Sequence, residues 1–273
     1  MKILIAADME GISGVVHWDQ VDSHHPEYAR FRRLMTADVN AAIRGAFEGG
    51  ASEVLVSDGH GEGRNILIEE LDPRARLNSG TPSPFSMIQG IDSGVTGVMF
   101  VGYHARIGTQ YAILDHTWSD TRIANLSIQG KPFGEIGLNA AVCGHFDIPV
   151  ILISGDQAAC AEAEGLIPAI ETVIVKRASG RMAAELLPPI ISEDMIQSCA
   201  SGAVQNLKNG RSSGPLKLTT PITLAIDFVQ SEMADKAAML PGAKRNGRQI
   251  EYTAADMPTI YQAFRAAVGL ARG

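Results

Sequence analysis

The sequence predicts an α/β fold in which a mainly parallel sheet is sandwiched by helices, with a smaller C-terminal α+β part. First, short aliphatic runs alternate along the chain with longer stretches of helical periodicity, an order typical of parallel strand pairing. Second, these runs are almost continuously apolar, as expected of strands that are covered on both faces. Third, the alternation of strands and helices ends at Gly210, after which a predicted loop and two further strands precede a final helix.

Each element has its own signal in the sequence. The predicted strands of the sheet are the aliphatic runs at residues 3–7, 53–57, 97–102, 149–154 and 172–176. The predicted helices are the periodic segments 28–48, 135–146, 157–166 and 192–208, the first of which stops at a Gly-Gly pair. The C-terminal elements are strands 222–229 and 248–254 and an amphipathic helix over 256–272. We therefore expect a catalytic α/β domain over residues 1–210 and a smaller α+β part over 211–273 packed on it.

Composition limits the classes of partner. The 273 residues carry a formal net charge of −7, and no Lys/Arg cluster offsets it, so we expect no nucleic-acid partner. No apolar run reaches the ~18 residues of a membrane span, and the apolar start is too short for a signal peptide. Three scattered cysteines, Cys143, Cys160 and Cys199, form no C-x-x-C motif. They fit a reducing compartment, and we expect a cytoplasmic protein.

Polar side chains follow the predicted strands, where open parallel sheets form their ligand sites. The positions after the first three strands and in the segments that follow them carry Asp8, Glu10, Asp58, His60, His104, His116 and Glu135. Each has an ordinary alternative explanation. A carboxylate at a strand end is often solvated or caps a turn, a lone loop histidine is rarely a ligand, and Glu135 suits the first turn of a helix.

The joint pattern indicates a metal site. Five groups of metal-ligand type lie at successive strand or helix ends: Asp8, Glu10, His60, His104 and Glu135. Two histidines with three carboxylates suit zinc, with manganese or cobalt as competitors, whereas calcium and magnesium prefer oxygen ligands. Five ligands exceed the three that one catalytic zinc normally takes from protein. Two ions ~3.5–4 Å apart that share one carboxylate would use all five.

Several motifs together resemble a known family. The segments "DMEGISG", "SDGHG", "GYHAR" and "GEIGLNA", with "TPSPFSM", "EGLIPAI" and the pair Val175-Lys176, are similar in order and spacing to the zinc-dependent D-aminopeptidases of bacteria and archaea. The resemblance runs along nearly the whole chain. It implies cleavage of short peptides or amides that begin with a D-amino acid, and a homo-oligomer that could be a ring-shaped decamer.

The resemblance also implies a role for each site residue. Asp8 matches the carboxylate that bridges two zinc ions, Glu10 and His60 match the other ligands of one ion, and His104 and Glu135 match those of the second. His116, in "DHT", matches the catalytic histidine of the family. The surrounding loop, "IGTQYAILDHTWS", is the segment in which members of the family vary most, so the resemblance says least about the substrate preference of this chain.

The residues leave the mechanism and some rival functions open. A zinc pair would polarise a carbonyl and lower the pKa of a bound water towards ~7, while His116 would transfer a proton or attack the carbonyl itself. A metal-dependent phosphatase or another amidase would suit the same ligands. A non-catalytic nucleotide-binding protein is a third alternative, but "GHGEG" fits neither a G-x-G-x-x-G nor a P-loop pattern.

Overall fold

The structure, a computed structural model, describes residues 1–272. In chain order the strands are β1 (Lys2–Ala7), β2 (Glu53–Asp58), β3 (Ala75–Asn78), β4 (Gly97–Val101), β5 (Ile123–Ile128), β6 (Lys131–Pro132), β7 (Val150–Asp156), β8 (Glu171–Gly180), β9 (Ala183–Leu186), β10 (Ile222–Phe228), β11 (Lys244–Asn246) and β12 (Gln249–Ala254). The α-helices are α1 (Tyr28–Glu48), α2 (Glu135–His145), α3 (Gln157–Leu166), α4 (Pro189–Lys208), α5 (Ser231–Ala237) and α6 (Met257–Leu270). Short 3-10 helices lie at Trp18–Gln20 and Ser86–Ile88.

The strands form two sheets. The main sheet has the order β3-β2-β1-β4-β7-β8-β9, in which every pair is parallel except β8 and β9. The second sheet has the order β11-β12-β10-β5-β6 and is antiparallel throughout. The predicted fold class, a mainly parallel sheet between helices, is confirmed.

Strand β1 shows why the main sheet is apolar on both faces. Ile3, Ile5 and Ala7 belong to one hydrophobic core, which they share with residues of α1 and α4. Leu4 and Ala6 point to a second core, which contains residues of α2, α3, α6 and the second sheet. Because alternate side chains of a strand point to opposite faces, a strand buried on both faces must be apolar at every position.

The five predicted strands of the main sheet, the two C-terminal strands and the predicted helices are all present, with ends shifted by a few residues. The sequence missed β3, β5, β6, β9, β11 and α5, which are short or carry mixed polarity. Their pairing depends on partners far along the chain, which local periodicity does not reveal. The division at residue 210 stays a prediction. The second sheet contains β10, β11 and β12, which follow that residue, and β5 and β6, which precede it.

No helix within residues 1–272 combines the length and the apolarity needed to cross a membrane. The parallel strands all point their carboxyl ends to one edge of the main sheet. The residues that follow β1, β2 and β4 therefore meet at this edge, which is where the polar positions found in the sequence lie.

Candidate metal centre

Backbone hydrogen bonds continue past the strand ends and bring the connecting loops together. The amide of Asp8 donates to Val101 O (2.9 Å), and the amide of Gly59 donates to Ala7 O (2.8 Å). The amide of Gly11 donates to Gly102 O (2.8 Å). The loops after β1, β2 and β4 are thus fixed against one another before any side chain of the site is considered.

Two glycines permit this close approach. A Cβ atom at Gly11 would lie only 2.0 Å from Tyr103 O, so no larger residue fits there without moving the backbone. Gly102 has a φ of +74°, in the left-handed region that favours glycine, and a Cβ there would lie 2.4 Å from Asp8 O. The small residues beside the predicted ligands therefore let the two loops touch.

Asp8 lies between two histidines. Its Oδ1 is 3.4 Å from Nδ1 of His60, and its Oδ2 is 3.4 Å from Nε2 of His104. Glu10 Oε2 adds a second oxygen 3.0 Å from His60 Nδ1, while Glu135 Oε1 is 3.2 Å from His104 Nε2. The structure thus brings all five sequence-predicted residues into one group, the ligand cluster, in which Asp8 is common to two carboxylate–histidine pairs.

Each histidine of the ligand cluster is oriented by its second ring nitrogen. His60 Nε2 lies 2.9 Å from Val21 O, and His104 Nδ1 lies 3.0 Å from Ala105 O. A carbonyl oxygen only accepts hydrogen bonds, so these two nitrogens carry the protons in the neutral rings. The lone pairs of His60 Nδ1 and His104 Nε2 then point at the carboxylates, as metal-ligating histidines require.

The donor atoms fit a divalent cation. Asp8 Oδ2 and His104 Nε2 are buried and have no hydrogen-bond partner among residues 1–272. Each unsatisfied buried polar atom lowers the free energy of unfolding by about 1–3 kcal/mol. A cation bound to both atoms would remove that cost. One group of three donor atoms, from Asp8, Glu10 and His104, lies within 4.8 Å of one another. Oxygen and imidazole nitrogen ligands together suit zinc.

The electrostatics of the ligand cluster favour positive charge. Burial alone would raise the pKa of Asp8, but the nearby His104 and His60 outweigh it and hold that pKa well below its usual range. Burial would lower the pKa of both histidines, but the carboxylates around them outweigh it and hold each pKa well above its usual range. Asp8 is therefore kept ionised and ready to bind a cation.

His116, the predicted catalytic residue, lies beside the ligand cluster. Its ring stacks on that of His104 with centroids 4.0 Å apart, and Trp18 packs edge-on against it at 5.3 Å. Its Nδ1 donates to Leu114 O (2.8 Å), which leaves Nε2 free, 3.8 Å from Glu135 Oε1. This geometry suits a group that carries protons at the site, and it would also suit a further ligand, since His104, His116 and Glu135 form a second group of donor atoms within 4.8 Å.

Glu135 also ties the His116 loop to α2. The amide of Trp118 donates to Glu135 Oε1 (2.6 Å), and Glu135 occupies the first turn of α2, where the helix dipole favours a negative charge. Both readings of Glu135 made from the sequence, as a dipole partner and as a cluster member, thus apply together. The amide of Trp118 gave no signal in the sequence, because any residue supplies a backbone N–H.

Lys176 is a supporting residue to which sequence reasoning gave no role. It lies in the middle of β8, and its fully buried ammonium donates to the carbonyl oxygens of Glu10 (2.6 Å), Ile12 (2.9 Å) and Val15 (2.7 Å). Burial lowers the pKa of Lys176 to about 7, although the carboxylate of Asp156 opposes this. A lone lysine after an apolar strand offers no local signal of such a role. In the fold it holds the loop that carries Glu10.

A cavity of about 640 Å³ opens at the ligand cluster. It is lined by Asp8, Glu10, His60 and Glu135, together with His116. Its volume is within the range of about 300–1,000 Å³ that is usual for small-molecule sites. The site can thus present metal ligands and a free histidine nitrogen to a ligand the size of a short peptide.

Comparisons with known proteins point in one direction. The model of peptidase family M55, described as D-aminopeptidase, matches residues 1–266. A D-aminopeptidase of Bacillus subtilis is 37% identical over 273 residues, which cover 99% of this chain and 98% of that protein. A solved structure described as the Zn-dependent D-aminopeptidase DppA from Bacillus subtilis, a self-compartmentalizing protease, is 37% identical with a TM-score of 0.95. The likeness covers 99% of this chain and 98% of the solved chain.

We predict that Lys176→Met destabilises the fold and the ligand cluster together. The substitution removes three donated hydrogen bonds from buried carbonyl oxygens, so the free energy of unfolding should fall by about 3 kcal/mol, and zinc affinity should fall with it. Urea unfolding and zinc titration measure the two effects. The matched control is Lys131→Met, an exposed lysine of β6, which should change stability by less than about 0.5 kcal/mol. Wild-type stability and zinc affinity in Lys176→Met would refute the role assigned to this lysine.

Proposed function

The chain belongs to the D-aminopeptidase family, and from that premise we propose that it is a zinc metallopeptidase that hydrolyses short peptides with an N-terminal D-amino acid. The observation that carries the proposal is the position of Asp8, whose two oxygens face two different histidines at 3.4 Å. A carboxylate in that position can be shared by two cations. The similar solved structure is described as Zn-dependent.

The proposed site holds two zinc ions per chain, for which manganese or cobalt could substitute. Glu10 and His60 would hold one ion, and His104 and Glu135 the other, with Asp8 common to both. This division follows the two carboxylate–histidine pairs. Glu10 Oε2 lies 3.0 Å from His60 Nδ1, and Glu135 Oε1 lies 3.2 Å from His104 Nε2. The hydrogen bonds of His60 to Val21 O and of His104 to Ala105 O fix each ring in the required tautomer.

The proposed catalytic group is His116. Zinc in such a site supplies Lewis acidity, which polarises a carbonyl and lowers the pKa of a water molecule. Leu114 O fixes the proton on His116 Nδ1, so Nε2 is the atom that accepts a proton or delivers it to the departing amine. Stacking on His104 and contact with Trp18 restrict the ring to this orientation and limit the access of bulk water to it.

We further propose that the chain forms a homo-oligomer, in the form of a ring-shaped decamer. The related Bacillus subtilis protein is described as self-compartmentalizing, which supports assembly. Several large apolar side chains are exposed around β9 and the start of α4: Met182, Leu186, Ile190, Ile191 and Met195. A grouped apolar surface of this kind is typical of contacts between subunits.

We also propose that the protein works in a reducing compartment such as the cytoplasm. Its cysteines, Cys143, Cys160 and Cys199, form no disulfide, and burial raises the pKa of the Cys143 and Cys160 thiols above their usual value. Thiols of that kind stay protonated and are preserved where the surroundings are reducing.

The experiment that tests the function compares D-alanine amide with L-alanine amide. The zinc-loaded protein should hydrolyse the D form, lose that activity after treatment with a chelator, and regain it when zinc is restored. A generic phosphate ester, offered in parallel, tests the phosphatase alternative. A protein that contains two zinc ions but cleaves neither amide, or that cleaves only the ester, would contradict the proposed substrate class.

His116→Ala should lower kcat by at least about 100-fold, the lower end of what a general acid–base contributes, while two zinc ions per chain remain. Elemental analysis beside the D-amide assay checks both parts. His24→Ala is the matched control, because His24 is exposed and hydrogen-bonds only to Asp22 among the described residues. It should leave kcat and zinc content unchanged. Loss of zinc in His116→Ala would mean that His116 is a ligand and that the proton-transfer role is wrong.

A further inference from the structure

The cavity at the ligand cluster is also lined by three arginines, Arg122, Arg265 and Arg272. Arg265 has a structural task, since its Nη1 donates to Ser83 O (2.7 Å) and Pro84 O (2.8 Å) and so holds the loop before the second 3-10 helix. Arg122 and Arg272 have no comparable task. Positive charge in a cavity that also holds three carboxylates of the ligand cluster needs an explanation.

Within residues 1–272, neither of these two guanidinium groups is paired with a carboxylate. Arg122 Nε donates to Ser119 Oγ (2.9 Å), and no carboxylate oxygen of residues 1–272 lies within 4 Å of a side-chain nitrogen of Arg122 or Arg272. Partial burial and the neighbouring charge of Arg272 lower the pKa of Arg122, and Asp120, which also lines the cavity, opposes this only in part. Two like charges, the partly buried Arg122 and the exposed Arg272, thus line the same cavity, where a bound anion would stabilise both.

Arg122 is linked to the ligand cluster through a short loop. The amide of Trp118 donates to Glu135 of the ligand cluster, and the next residue, Ser119, accepts the hydrogen bond of Arg122. Only three residues lie between Trp118 and Arg122. The ligand cluster and the arginines line one cavity of about 640 Å³, so a bound peptide of two or three residues can contact both.

We propose that Arg122, together with Arg272, binds the C-terminal carboxylate of a short peptide substrate. The inference rests on the proposed function and deepens it, because it defines the substrate class as di- and tripeptides with a free carboxyl terminus. The planar guanidinium group of arginine matches a carboxylate with two parallel hydrogen bonds. Arg122 and Arg272 are thus specificity residues.

The charges of the cavity also orient such a substrate. Arg122 and Arg272, which line one part of the cavity, attract the C-terminal carboxylate of a peptide and repel its N-terminal ammonium group. A zwitterionic peptide therefore binds with its amino end away from the arginines. A peptide whose carboxyl end is blocked loses this orientation.

The test compares D-alanyl-glycine with D-alanyl-glycine amide, which differ only in the terminal carboxylate. The wild-type enzyme should have the higher kcat/KM for the free acid. Arg122→Gln and Arg272→Gln should each lower kcat/KM for the acid by about 10- to 100-fold, the loss expected of a hydrogen-bonded charge pair. The loss should lie mainly in KM, with kcat/KM for the amide within twofold of wild type. Arg122→Lys should restore part of the loss, because it keeps the charge.

Arg33→Gln is the matched control. Arg33 is an exposed residue of α1 near Glu70, does not line the cavity, and should leave both substrates unaffected. Equal losses on the acid and the amide in the two variants would overturn the inference, and so would a wild-type enzyme that does not distinguish the two substrates. A change in assembled mass with equal losses would assign the arginines to a subunit contact instead. Wild-type protein that cleaves neither peptide would refute the proposed function itself, which separates the two failures.

Discussion

Three carboxylates, those of Asp8, Glu10 and Glu135, are buried in one small volume at the carboxyl edge of the main sheet, each at most 5% exposed. Removing one carboxylate from water costs several kcal/mol, and like charges at short range repel one another. Two histidines offset part of this cost, but even two protonated imidazoles would leave an excess of negative charge beside three carboxylates. The concentration of negative charge is therefore the constraint on which the rest of the site depends. Divalent cations bound to the three carboxylates would offset both their mutual repulsion and the cost of their burial.

The surrounding structure is arranged to keep this charge in place. The parallel sheet brings three strand ends together, and glycine at positions 11 and 102 lets the connecting loops touch. Lys176 also fixes the first of these loops, through hydrogen bonds to three carbonyl oxygens. These contacts belong to the backbone and its supports, so the geometry of the ligand cluster is set by the fold. Pre-organisation of this kind lowers the cost of bringing ligands together when a metal binds.

Much of this arrangement could be predicted from the sequence, because its signals are local. An apolar run that ends in "DME" identifies both a buried strand and its terminal carboxylates, and the order of elements then places successive strand ends at one edge. The second sheet could not be predicted in full, since β5 is short and pairs with β10 almost a hundred residues later. Arg122 and Arg272 are likewise far apart in sequence and line one cavity only because the chain folds them there, Arg122 just before β5 and Arg272 just after α6. Long-range pairing and charge balance become visible only in three dimensions.

The central claim is that two zinc ions share Asp8. Anomalous X-ray diffraction at the zinc absorption edge, from crystals of the zinc-loaded protein, tests it most directly. We expect two separate peaks per chain, one beside Glu10 and His60 and one beside His104 and Glu135, with Asp8 between them. A single peak, or peaks remote from Asp8, would contradict the two-metal account of this site.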